Sequence, residues 1–268
     1  MLNQIVNDDC LNWFKTIESG TIDCIVTDPP YKIKAGGLTV KHDVVKINLM
    51  GGIMAKQRSI ISTSKIGDKW VRVDGIIPSA AKGGKMFECN DILFKEWMPE
   101  LYRVLKTGTH CYVMTNASNL HEMQNEALKA GFILQNLLVW DKGNATPNKY
   151  YMQGAEFILM LSKRPARNIN DMGSSTILRY NNIIGNKIHP TEKPVDLLTH
   201  LICNSTKEND IVLDPFAGSG STAIACLANN RQFLTCEKDV KFFNIANERI
   251  AQFTKYSSYS TNNQQTLF

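Results

Sequence analysis

The sequence predicts an α/β fold: a doubly wound, mostly parallel sheet with helices on both faces. Three features point there. Short apolar, β-rich runs alternate with amphipathic helical stretches along most of the 268 residues. A glycine turn joins a strand to a helix at 214–220. A Pro-Pro turn follows another strand at 28–31. Such alternation builds parallel strands linked by crossover helices.

The elements follow in order. Ile22–Thr27 is short and apolar, as a buried strand is. Within Ile92–Leu105, Leu93, Trp97, Leu101, Val104 and Leu105 recur at helical spacing. His110–Thr115 is the next strand. Ser118 caps a helix running to about Ala130, and Gly131 stops it. Ile133–Trp140 and Glu156–Leu161 are two more strands. Pro194–Cys203 is a helix, Ile211–Leu213 a strand, Ser219–Ala228 a helix, Gln232–Cys236 a strand and Val240–Gln252 a final helix.

Two stretches break the pattern. Residues 32–88 hold eight of the seventeen glycines, which predicts a long mobile loop or a small insertion. Residues 142–188 are basic, polar and Asn-rich. The tail Ser257–Gln265 is rich in Ser, Thr, Asn and Gln and is expected to be disordered.

Charge is uneven. Residues 32–88 carry a net +7 and residues 142–187 a net +5, leaving the remainder at −7 within a chain of net +5. Two basic segments on an acidic body fit a polyanionic partner or two solvated loops. No apolar run is long enough to span a bilayer, and the start of the chain lacks a signal-peptide pattern, so a cytoplasmic location is expected. The seven cysteines are scattered without a C-x-x-C pair and read as reduced, mostly buried thiols. None of the five histidines pairs at metal spacing, and no metal site is expected. Tyr150-Tyr151 is read as core packing rather than as a base-stacking pair.

Two motifs carry chemistry. Asp214-Pro215-Phe216-Ala217-Gly218-Ser219-Gly220-Ser221-Thr222 is a strand end, a glycine turn and a helix start. Glycines let the backbone approach a ligand, and the helix start favours an anionic group. Glu237 ends the next strand, where a carboxylate suits ribose hydroxyls. The glycines are too few for a dinucleotide fingerprint, and no Walker lysine follows Gly220. Asp28-Pro29-Pro30-Tyr31 follows the strand Ile22–Thr27, at the strand end where ligands bind in such sheets. Its chemistry suits an exocyclic amine, whose lone pair is delocalised into its ring. The Asp28 carboxylate and the Pro29 carbonyl accept the two amino hydrogens, the prolines stiffen the turn, and Tyr31 stacks on the ring. No covalent nucleophile is needed. Inside a duplex such an amine is reached only by flipping the base, at a few kcal/mol.

With these motifs the chain resembles the amino-methylating DNA methyltransferases. Asp28–Tyr31 resembles their catalytic motif and Phe216–Gly220 their cofactor motif. The order, catalytic motif first, resembles the β group. Asp9-Cys10-Leu11 is similar to the segment near the cofactor's adenine. Arg103–Gly108 and Val139–Lys142 are similar to further family segments. His189–Pro194 is similar to the segment closing over the cofactor's methionine end, so Thr191 and Lys193 would meet its carboxylate. The resemblance implies a Rossmann-like, class I S-adenosylmethionine-dependent methyltransferase domain over residues 1–256. Within it would lie the insert 32–88 and a target-recognition region at about 143–188, followed by the tail 257–268. It implies S-adenosylmethionine as cofactor, with Asp9, Asp214, Phe216, Gly218, Gly220, Ser221, Thr222 and Glu237 in its site. It implies duplex DNA as partner and adenine N6 as target, since the Asp form of the tetrapeptide goes mostly with adenine. Cytosine N4 stays open, as do a catalytically inactive DNA-binding module and a homodimer. Restriction-modification in a bacterial, phage or prophage setting is the implied context. Gln264–Phe268 is similar to the Q-x-x-L-F peptide that docks on the bacterial sliding clamp.

Overall fold

The computed structural model describes residues 2–30, 63–66, 69–72, 92–146, 151–183 and 192–265. Tyr31, Thr191, Tyr150 and most of the 32–88 insert therefore lie outside the described residues.

The elements are β1 (Gln4–Asn7), α1 (Cys10–Phe14), β2 (Ile22–Thr27), β3 (Thr63–Ile66), β4 (Lys69–Arg72), α2 (Phe94–Val104), β5 (Leu105–Thr115) and α3 (Leu120–Ala130). They continue with β6 (Ile133–Thr146), β7 (Gln153–Ser162), β8 (Ile177–Arg179), α4 (Val195–Ser205), β9 (Ile211–Asp214), α5 (Ser221–Ala228), β10 (Gln232–Glu237) and α6 (Val240–Gln265). Met1–Tyr31 and Asp91–Phe268 form one compact unit, and Lys32–Asn90 forms another. In the second unit β3 and β4 pair antiparallel, with Thr63 opposite Arg72. The glycine-rich stretch thus holds a hairpin of its own.

The first unit is built on an eight-stranded sheet of order β1-β10-β9-β2-β5-β7-β6-β8. Neighbours from β1 through β5 are parallel. β7 runs antiparallel between β5 and β6, and β8 lies parallel beside β6. All six residues of β2 are buried, as befits a strand covered on both faces. One apolar core gathers Trp13 and Phe14 of α1, Trp97 and Leu101 of α2, and Met123 of α3 against Ile25, Val113 and Leu213. The other gathers Leu197 and Leu201 of α4, Ala223 of α5 and Ala246 of α6 against Cys24, Val26, Tyr112 and Val212. Cys24 and Val26 face one core and Ile25 the other, as the period-2 alternation of a strand requires. The expected doubly wound sheet is the observed one.

Several boundaries differ from expectation. α2 starts at Phe94, so Leu93 is 39% exposed and outside the buried stripe. Tyr151 is 93% exposed rather than packed. α6 continues to Gln265, beyond the expected end at Gln252 and through Ser257–Gln265. No proline or glycine between Phe253 and Gln265 interrupts the helical hydrogen bonds. Of the Gln264–Phe268 peptide, Gln264 and Gln265 close this helix, and Thr266–Phe268 lie outside the described residues. β7, expected at Glu156–Leu161, runs from Gln153 to Ser162 and sits within the sheet. No helix among the described residues is long and apolar enough to cross a membrane.

Candidate active site

The sheet reverses its winding between β9 and β2. From β9 the chain passes through α5 to β10 on one side, and from β2 through α2 to β5 on the other. The carboxyl ends of β9 and β2 therefore part around a crevice, the position where open α/β sheets bind ligands. Both motifs open there, because each directly follows one of these two strands. A pocket lies there, lined by Thr27, Asp28, Met114, Lys193, Asp214, Phe216, Gly218 and Thr222 among others.

Asp214 ties the two motifs together. Its Oδ1 accepts hydrogen bonds from Thr27 Oγ1 at 2.8 Å and the Phe216 amide at 3.1 Å, and its Oδ2 accepts one from Thr222 Oγ1 at 2.6 Å. Burial pushes its carboxyl up to about 6 against the pull of these three donors. Asp214 is thus a brace between β2, the glycine turn and α5. The turn itself needs its glycines. Gly218 and Gly220 have φ of 52° and 79°, and a Cβ on Gly220 would stand 3.1 Å from the Cβ of Ala246. Arg249 of α6 reaches over this turn. Its Nη1 donates to Ser219 O at 3.2 Å and Ser221 Oγ at 3.1 Å, and pairs with Glu192 at 2.8 Å. The ring of Phe216 meets Trp97 edge-on at 5.4 Å.

Asp28 stands across the crevice. Its Oδ2 accepts a hydrogen bond from Lys193 Nζ, and its Oδ1 is shut off from solvent with no hydrogen-bond partner among the described residues. Burial raises its carboxyl above the ordinary value, Lys193 pulls it back, and Glu156 adds to the rise. Lys193 Nζ also lies 3.6 Å from Glu156 Oε2, and Glu156 Oε1 lies 3.4 Å from Lys142 Nζ. Burial by itself would depress the Lys193 ammonium, but the Asp28 and Glu156 carboxylates reverse that and raise it.

The other expected residues are spread around this centre. Glu237 Oε2 accepts from the Gly218 amide at 2.8 Å and Oε1 from the Asp239 amide at 2.9 Å. A carboxylate has about four lone-pair sites, so acceptor capacity remains. Asp9 is outside the pocket lining. It caps α1 by accepting from the Leu11 amide and pairs with Lys238 at 2.8 Å. Burial would raise its carboxyl, but Lys238 and Leu11 outweigh this and hold it low. Ser221 and Thr222 start α5 and line the pocket. Lys193, expected at the cofactor's carboxylate, is on Asp28 and Glu156. Pro29 and Pro30 follow Asp28 after the end of β2.

No local sequence pattern singles out Glu156, Lys142, Thr27, Glu192 or Arg249 as residues of this crevice. Glu156 was in plain view as the charged first residue of an apolar strand. Its place at the crevice follows only from β7 being antiparallel, which brings the start of that strand to the edge where the other strands end. Burial pushes up the thiols of Cys10, Cys24, Cys111, Cys226 and Cys236, and none of them lines the pocket.

Residues 22–248, which run from β2 into α6 and include both sides of this crevice, match the DNA methylase family of N6/N4 methyltransferases. The chain belongs to that family. This DNA methylase is 25% identical to the type II methyltransferase M.HinfI of Haemophilus influenzae, over 94% of the chain and 69% of that protein. It is also 25% identical to the type II methyltransferase M2.MboI of Moraxella bovis, over 93% of the chain and 88% of that protein. Its fold resembles the crystal structure of the M1.HpyAVI–SAM complex, with a TM-score of 0.61 and 22% identity over 92% of this chain and 98% of that one. It resembles PvuII DNA methyltransferase, a cytosine-N4-specific enzyme, with a TM-score of 0.61 and 14% identity over 94% and 93% of the two chains.

Proposed function

We propose that this DNA methyltransferase moves a methyl group from S-adenosylmethionine to the N6 amino group of an adenine flipped out of duplex DNA. The observation that carries the reading is Asp28 Oδ1, a buried acceptor without a partner among the described residues. Asp28 lines the pocket that the glycine turn also lines. A buried carboxylate oxygen left open is costly unless a ligand fills it. A planar amine offers the hydrogen it lacks.

The pocket fits the cofactor by its own construction. Gly218 and Gly220 bare the turn's backbone and Phe216 presents a ring, while beside the pocket Glu237 ends β10 and Asp9 caps α1 with carboxylates. S-adenosylmethionine would supply, when bound, a methyl group on a positively charged sulfur, whose bond to that methyl would break as the bond to the amine nitrogen forms. Asp28 Oδ1 accepts one amino hydrogen, and the Pro29 carbonyl accepts the second. With both hydrogens held, the nitrogen lone pair turns out of the ring plane and becomes available for attack. The proton shed by the nitrogen passes to Asp28. Lys193 steadies the carboxylate through Oδ2, and Tyr31 stacks on the base.

The order of the two motifs supports a β-group assignment. The Asp form at position 28 supports adenine, and cytosine N4 offers the same chemistry. DNA is read by the target-recognition region at about 143–188, where Tyr151 and Met152 are 93% and 61% exposed. Tritium transfer from labelled cofactor to plasmid DNA, followed by hydrolysis and separation of bases, tests the reading. Label in N6-methyladenine is expected, and is lost in Asp28→Ala while cofactor binding stays. Transfer surviving in Asp28→Ala refutes the role of Asp28, and label in N4-methylcytosine refutes the adenine assignment.

A further inference from the structure

Four buried or nearly buried charges run in a line away from the pocket: Asp28, Lys193, Glu156 and Lys142. Their side chains are 18%, 8%, 24% and 9% exposed. The signs alternate and sum to zero. The links are the Asp28–Lys193 hydrogen bond, the 3.6 Å Lys193–Glu156 pair and the 3.4 Å Glu156–Lys142 pair. The groups come from four places in the chain: the turn after β2, the segment before α4, β7 and β6. A buried charge persists only when compensated, and removing one member leaves its neighbour exposed to the full imbalance.

Asp28 and Lys193 would balance as a pair, so the outer two members need a purpose. Glu156 divides the Lys193 ammonium between two carboxylates, and Lys142 compensates Glu156 in turn. We propose that Glu156 and Lys142 are positioning residues for methyl transfer, acting through Lys193 to set how far Asp28 stays ionised and open to the target amine. This rests on the reading of Asp28 as the amine's acceptor. Among the described residues, the other charged group that faces Asp28 is Asp214 of β9, which bears on both variants alike.

The two outer charges should move the titration of Asp28 in opposite directions. Glu156→Gln removes a neighbouring negative charge, so Asp28 ionises at lower pH. Lys142→Met leaves two carboxylates for one ammonium, so Asp28 ionises at higher pH. The test is kcat/KM for methyl transfer to plasmid DNA by the full chain, measured from about pH 5 to 9. The acid limb is expected to fall by about one pH unit in Glu156→Gln and to rise by about one in Lys142→Met. The charge-balanced double variant should return near the wild-type limb, and it carries the test if a single variant fails to fold. Loss of rate with the limb unmoved, or shifts of the same sign, overturns the proposal. Asp28→Ala is measured alongside: transfer in that variant refutes the underlying reading, whereas an inactive Asp28→Ala with unmoved limbs refutes only the charge line.

Discussion

Asp214→Asn should stabilise the protein in a pH-dependent way. Asp214 is 3% exposed, and its two oxygens accept from two threonine hydroxyls and one amide. Burial lifts its carboxyl from 3.8 to about 6. The sign follows from proton linkage. The folded chain holds this proton more tightly than the unfolded chain does. Stability from this group is therefore complete below pH 3.8, falls as pH rises toward 6, and stays low above it. A shift of about two units corresponds to roughly 3 kcal/mol. Asn does not titrate. Its carbonyl can take the Thr27 and Phe216 donors, while its amide donates to Thr222, whose hydroxyl can turn to accept. The stability of Asp214→Asn relative to wild type should rise by roughly 3 kcal/mol between acid and neutral pH. Urea unfolding at a series of pH values reads this directly, and other carboxylates cancel because both proteins share them. Asp214→Ala, which strands all three donors, should lose about 1–3 kcal/mol for each donor left without water. A wild-type-to-Asn difference that does not change with pH would refute the assignment of a strained, ionised brace.

Further perturbations follow from other contacts. Arg249→Ala removes the links to Ser219, Ser221 and Glu192, so cofactor affinity measured by calorimetry should drop about tenfold or more, as loss of a charged hydrogen bond worth about 1.5–3 kcal/mol implies. Gly220→Ala forces a side chain into φ 79° against Ala246 and should lower the thermal midpoint, with a cost of about 1–3 kcal/mol. His110 is 1% exposed, between Ser205 Oγ at 2.8 Å and the Arg167 carbonyl at 3.0 Å, and burial lowers its pKa below 6.5. The unfolded chain then takes up the proton first, so stability falls as pH drops below 6.5. His110→Gln should flatten that acid slope in denaturant titrations.

The sheet was legible where burial dictates residue choice. Ile22–Thr27 is covered on both faces, and its apolar run marked the strand to the residue. β1 and α1 escaped notice because they are four and five residues long, too short for periodicity to register. The strand β8, three residues long, was hidden in a polar stretch for the same reason. The Ser/Asn-rich end of α6 read as irregular because those residues compete for backbone hydrogen bonds, yet nothing there forbids a helix. Both motifs were legible because glycine and proline leave local marks. The pairings between them were not. Thr27 meets Asp214 across 187 residues, and Lys193 meets Asp28 across 165. Glu156 required knowing the direction of β7, which no local pattern records.

Long-read sequencing of genomic DNA from a methylation-free bacterial host, expressing either the wild-type chain or Asp28→Ala, bears most directly on the central claim. Wild-type DNA should carry N6-methyladenine in one fixed sequence context, and Asp28→Ala DNA should carry none. Unmodified DNA from a host with folded, cofactor-binding wild-type protein, or equal modification by the Asp28→Ala chain, would contradict it.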